Sequence, residues 1–125
     1  MRKLFRRLTL SASLLTVAAV TGLSPVLAAE GEVSEEALAK GKEIAFDTFR
    51  GNCLACHMIA GGEMPGNIGP PLIAMTARYP DRDKLKAQIA DPRTANPISI
   101  MPPFGAHGIL SQEELELVTD FVHSL

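Results

Sequence analysis

Residues 51–60, Gly51-Asn52-Cys53-Leu54-Ala55-Cys56-His57-Met58-Ile59-Ala60, hold both cysteines of the 125-residue chain and one of its three histidines. Two thiols separated by two residues can span one helical turn and present both sulfurs on one side, with the next residue projecting beside them. Such a pair either closes a redox-active disulfide or holds something in place. A thioredoxin-like motif expects a strand and a βαβ surround, which the sequence lacks, and a disulfide closing so small a ring would stabilise little. A zinc site would need further ligands at metal-binding spacing, and there are no other cysteines.

The remaining reading of Cys53-x-x-Cys56-His57 is attachment of haem. The two thiols can add to the vinyl groups of haem b, and His57 then lies where its imidazole can bind the iron from the same face. One covalently attached haem c is expected, held by Cys53 and Cys56 with His57 as a ligand to the metal. It would also supply the large apolar object that a small domain poor in aromatic residues needs at its centre.

For the far side of the iron the candidates are Met58, Met64, Met75, Met101, His107 and His123. Met58 adjoins His57 and cannot easily cross, Met64 and Met75 read as flexible apolar filler, and His123 reads as solvent-facing. Met101 differs, because in Ile100-Met101-Pro102-Pro103-Phe104 two prolines fix the backbone beside the sulfur. It is the favoured sixth ligand, with His107 next. A thioether opposite an imidazole fills the coordination sphere and raises the iron potential relative to bis-histidine ligation, so electron transfer is the expected chemistry. Downstream of His57, Gly69-Pro70-Pro71-Leu72 suits a loop passing back under the ring. There the Pro70 carbonyl could accept the second ring N–H, although the prolines could equally be loop punctuation.

Around this centre the sequence predicts helices and loops. Ser34-Glu35-Glu36 suits a helix start, and Leu38, Gly41, Ile44 and Ala45 recur at helical spacing, the glycine pointing to close approach of another backbone. Ser111-Gln112-Glu113-Glu114 is a capping box with Leu110 and Leu115 placed for a hydrophobic staple, and Leu115, Val118, Val122 and Leu125 form an apolar stripe. First and last helices are expected to pack across each other. A third helix is predicted over 81–90, stopped at Asp91-Pro92, and a fourth over Pro71–Tyr79 with proline in its first turn. Residues 61–71 carry seven glycines and prolines in eleven positions, too many for a regular element. No alternating strand pattern appears, so the fold class is all-α.

At the N-terminus, the basic head Met1–Arg7 is followed by an uncharged run from Leu8 to Leu23, shorter than the roughly 20 residues of a spanning helix. It ends in small residues, so 1–28 reads as a secretory signal peptide cleaved after Ala28 or Ala29, in preference to an uncleaved anchor. Arg6-Arg7 is a weak match to a twin-arginine signal, and export of the unfolded chain is favoured. The whole sequence has twelve basic and fourteen acidic residues. Loss of Arg2, Lys3, Arg6 and Arg7 leaves the domain 29–125 with eight basic residues, a formal charge of −6 (8 − 14). A nucleic-acid partner is excluded by that sign of charge, and no membrane association is expected after cleavage.

The ordered set Cys53-x-x-Cys56-His57, Gly69-Pro70-x-Leu72 and Met101-Pro102, between an N-terminal helix with a central glycine and a C-terminal amphipathic helix, resembles class I cytochrome c over essentially the whole of 29–125. The longer strings Gly66-Asn67-Ile68-Gly69-Pro70-Pro71-Leu72, Arg78-Tyr79-Pro80-Asp81 and Met101-Pro102-Pro103-Phe104-Gly105-Ala106-His107 are similar to the SoxX family of sulfur-oxidation cytochromes. That resemblance implies a periplasmic electron-transfer subunit paired with a SoxA-like cytochrome. The complex couples thiosulfate oxidatively to a cysteine of the carrier SoxYZ, an L-cysteine S-thiosulfotransferase reaction, and passes electrons to a small cytochrome c. With both cysteines used for haem, this chain keeps no sulfur nucleophile, so its own catalytic set is empty and the reactive centre is expected on the SoxA-like partner. Two other functions fit the same residues: a free-standing periplasmic electron-shuttle cytochrome, and a haem-based ligand-binding or sensor module, which needs an open sixth site.

Overall fold

Ser34 starts the first helix as its sequence suggests: its hydroxyl accepts the Ala37 N–H at 3.2 Å, and Glu35 and Glu36 occupy the first turn. A computed structural model of the chain describes residues 32–125. The expected signal segment 1–28 and both candidate cleavage points lie outside the described residues. The elements are α1 (Glu35–Phe46), a 3-10 turn (Cys53–Ala55), α2 (Met75–Arg78), α3 (Arg82–Ala90), a second 3-10 turn (Pro92–Thr94) and α4 (Gln112–His123). There is no strand among the described residues, and the fold is all-α. No helix among the described residues is long and apolar enough to cross a membrane.

The capping box at the start of α4 forms in full. Ser111 Oγ accepts the Glu114 N–H at 3.2 Å, and Glu114 Oε2 accepts the Ser111 N–H at 2.8 Å, an arrangement worth about 1 kcal/mol. Leu110 and Leu115 on either side are both buried. The face that α4 buries is wider than the expected stripe, because Phe121 joins Leu115, Val118 and Val122. Its ring meets that of Phe46 edge-on, centroids 6.0 Å apart and planes at 78°. α1 and α4 cross at Gly41, where a Cβ would stand 2.1 Å from the Leu117 carbonyl oxygen. Only a residue without a side chain lets the two backbones come this close.

α3 is capped by Asp81, which accepts the Asp83 N–H at 3.0 Å, and buries Leu85 and Ile89. It is tied to α4 by a charged clamp that sequence reading did not anticipate. Arg82 donates to Asp120 and, at 2.8 Å, to Glu116, which also accepts from Lys86. Lys86 first, then Arg82, holds the Glu116 carboxyl below the usual carboxylate range.

The helix expected over Pro71–Tyr79 is a correction: only Met75–Arg78 is helical. Residues 66–72 are strapped to the cysteine segment by Gly66 N–H to Leu54 O at 2.7 Å, Gly69 N–H to Cys56 O at 2.8 Å and Leu72 N–H to Met58 O at 2.9 Å. Those bonds hold the chain away from helical geometry, and Ala74, at φ +49°, separates the strap from α2.

Candidate functional site

The 3-10 turn Cys53–Ala55 continues through Cys56, and the His57 N–H closes on Cys53 O at 2.8 Å. This brings Cys53, Cys56 and His57 onto the wall of a cavity of about 640 Å³. Much of the remaining wall is apolar core, from Leu72, Met75, Leu85, Ile89, Phe104 and Val118. Met101 lines the same cavity. Its loop is tied to the end of α3 by the Gly105 and Ala106 N–H groups, both donating to Ala90 O at 3.0 Å, and is closed by Leu110 N–H to Phe104 O.

His57 is oriented from behind. Its Nδ1 lies 2.7 Å from Pro70 O, so that nitrogen carries the proton and donates it, leaving Nε2 as the metal-binding atom. Gly69 packs flat against the ring: a Cβ there would lie 2.4 Å from His57 Cε1 and 2.8 Å from Nε2. The loop that the two prolines suggested does pass under the imidazole.

The two cysteines are not joined to each other, and burial pushes the Cys53 thiol up to about 11. A redox-active pair works through a lowered thiol pKa, which burial at Cys53 opposes.

Of the other candidates for the far side of the iron, Met58 and Met64 are exposed and off the cavity wall. Met75 is buried on the wall, but its sulfur takes a hydrogen bond from Arg78 Nη1 at 3.3 Å. His107 is exposed, 3.3 Å from Arg93 Nη1, and not on the wall. The solvent-facing reading of His123 is corrected: it is half-buried, with Nε2 2.9 Å from Tyr79 O. Sequence reading missed Arg78, which reaches the wall and donates to Pro71 O at 2.8 Å. A lone arginine has no periodicity that reveals a carbonyl partner.

A large apolar cavity lined by two thiols spaced for thioethers, an imidazole with one free nitrogen and a thioether is what a covalently held haem requires. These features define a class I c-type cytochrome. The cytochrome c family model matches residues 38–125, and the chain belongs to that family, whose cofactor is haem c, covalently bound. Within the class it is close to SoxX: it is similar to the crystal structure of SoxXA from P. pantotrophus, with 27% identity and a TM-score of 0.62, over 69% of this chain and 79% of that one. A curated relative, an uncharacterized lipoprotein of Aquifex aeolicus (strain VF5), is 35% identical over 79 residues. That match takes in 59% of this chain and 36% of the relative, so the chain spans about a third of the relative's length. The family makes the protein an electron-transfer cytochrome.

Proposed function

We propose that Cys53 and Cys56 bind the haem, that His57 and Met101 ligate its iron, and that residues 29–125, exported after removal of 1–28, act in the periplasm as the electron-relay subunit of a SoxAX-type complex. In this reading the complex couples thiosulfate to a cysteine of a SoxYZ-like carrier. The reactive centre lies on a SoxA-like partner, and a small cytochrome c takes the electrons onward.

The observation that carries the ligand assignment is that Cys53, Cys56, His57 and Met101 all line one largely apolar cavity. The likeness to SoxXA supports a SoxA-like partner. When bound, the haem supplies reversible one-electron chemistry. The protein's residues do the rest: His57 is aimed by Pro70 O, and the loop carrying Met101 is anchored to the end of α3 just after Phe104, through the Gly105 and Ala106 N–H groups. The apolar wall excludes water and lowers the local dielectric, which favours the less charged reduced iron. An extracytoplasmic location agrees with family membership and with the lipoprotein description of the A. aeolicus relative.

The test is expression of the full chain, alone and with a SoxA-like cytochrome, in a host that builds c-type cytochromes. A c-type spectrum in alkaline pyridine and a stable complex that passes electrons from thiosulfate are expected. A haem protein that remains monomeric in the presence of every such partner would favour the free-standing shuttle. A colourless product would end both readings.

A further inference from the structure

We infer that Arg78 is a positioning residue for the imidazole of His57, acting through the carbonyl of Pro71; the inference rests on the reading of His57 as an iron ligand. Residues 69–72 pass beneath His57 with two prolines in succession, and neither has an N–H to donate. The segment is held by the amides at its ends, Gly69 N–H to Cys56 O at 2.8 Å and Leu72 N–H to Met58 O at 2.9 Å, and in the middle by two side chains. His57 Nδ1 donates to Pro70 O at 2.7 Å, and Arg78 Nη1 donates to Pro71 O at 2.8 Å.

The two carbonyls are mechanically linked. Each lies in a planar peptide unit, and the planes are joined by φ and ψ of Pro71 alone. The pyrrolidine ring fixes φ, so one soft dihedral separates the carbonyl that Arg78 grips from the carbonyl that His57 uses. Fixing one therefore leaves the other a single rotation, about ψ of Pro71. A charged donor makes the grip stronger than a neutral one would.

Arg78 is itself anchored. The same Nη1 lies 3.3 Å from the sulfur of buried Met75, and the Met75 N–H donates to Leu125 O at 2.7 Å. The acceptor that orients His57 is thus tied through Pro71, Arg78 and α2 to the end of the chain beyond α4. The direction and strength of the bond at Nδ1 set ring orientation and ligand basicity, so Arg78 tunes the centre without touching the imidazole.

The experiment uses the haem-loaded chain with Arg78→Ala, Arg78→Gln and Arg78→Lys. Three readouts are followed: exchange of the His57 Nδ1 proton, the pattern of haem-methyl shifts in the oxidised state, and the reduction potential. Arg78→Ala is expected to exchange that proton about fivefold faster or more, to change the methyl pattern and to shift the potential. Arg78→Gln, too short to reach Pro71 O, reads the same should the alanine variant not fold. Arg78→Lys, which keeps a charged donor, restores part of the loss. Arg82→Ala, which opens the α3–α4 clamp, is expected to lower the unfolding midpoint and leave all three readouts unchanged.

Parent-like exchange and methyl shifts in both Arg78→Ala and Arg78→Gln would overturn the inference, and so would equal changes in Arg82→Ala. If the parent lacks c-type haem, or if His57→Ala keeps its spectrum, the ligand reading falls and takes this inference with it. A normal His57-ligated parent with silent Arg78 variants sinks this inference alone.

Discussion

Gly41 of α1 meets Leu117 of α4 so closely that a Cβ at Gly41 would lie 2.1 Å from the Leu117 carbonyl oxygen and 2.8 Å from Phe121 Cβ. Alanine at this position gains about 1 kcal/mol of helix propensity, but the added methyl must push two backbones apart. Overpacking typically costs about 1–3 kcal/mol, and here the obstacle is a backbone atom that cannot swing aside. Gly41→Ala is expected to lower the stability of the haem-loaded protein by about 1–2 kcal/mol net, read by denaturant unfolding. A neutral or stabilising result would show that the helices can separate freely.

The clamp between α3 and α4 makes a pH-dependent contribution. The Glu116 carboxyl is held below its ordinary value of 4.5 by Lys86 and Arg82, so the folded state binds its proton less readily than the unfolded one. The stabilisation is fully present above about pH 4.5 and is lost as pH falls through the lower, folded-state value. Glu116 is 43% exposed, so solvent screening limits the effect to about 0.5 kcal/mol. Glu116→Gln is expected to be less stable than the parent by that amount at pH 7, with the gap closing in acid and in high salt. A gap that persists at pH 3 would point to packing and not to charge.

Much of this centre is legible because its signals are local. Five consecutive residues announce the cofactor, a capping box announces α4, and Gly41 in an apolar stripe announces a helix crossing. The Pro70 carbonyl was also within reach of the sequence, since an imidazole that binds metal needs an acceptor and the loop length suits one. The signals that failed depend on distance. Pro71–Tyr79 has helical composition, yet the bond from the Leu72 N–H to Met58 O and the left-handed backbone at Ala74 keep its first half out of the helix. His123 lacks an apolar neighbour pattern and finds its place only through Tyr79 O. Arg78 and Arg82 are ordinary surface residues by composition, and their roles follow from partners 7 and 38 positions away.

Gly69 is the second position where a side chain cannot be added. A Cβ would lie 2.4 Å from His57 Cε1, against a ring that is fixed by Pro70 O behind it and by its place in the motif. Gly69→Ala must therefore rotate the imidazole or displace the strap, at about 1–3 kcal/mol. The expected outcome is a lower yield of haem-loaded protein and an altered spectrum in what is recovered. Parent-like yield and spectrum would show that the ring is not held where the hydrogen bond puts it.

The identity of the sixth ligand separates an electron carrier from a ligand-binding module. Met101 and Met75 both reach the cavity wall, while His107 does not. The Met75 sulfur already accepts from Arg78, whereas Met101 sits on a loop with its own anchors to α3. Met101→Ala is expected to keep the covalent haem, open the sixth position to carbon monoxide in the reduced state, and lower the potential by roughly 0.1 V, a fraction of the range that axial ligands command. His107→Ala is expected to change none of these, since its ring faces Arg93 on the surface. An unchanged spectrum in Met101→Ala would hand the role to Met75, which Met75→Leu then tests directly. Carbon monoxide binding by the unmutated protein would instead mean that the sixth site is open and that the electron-transfer reading has the wrong ligand set.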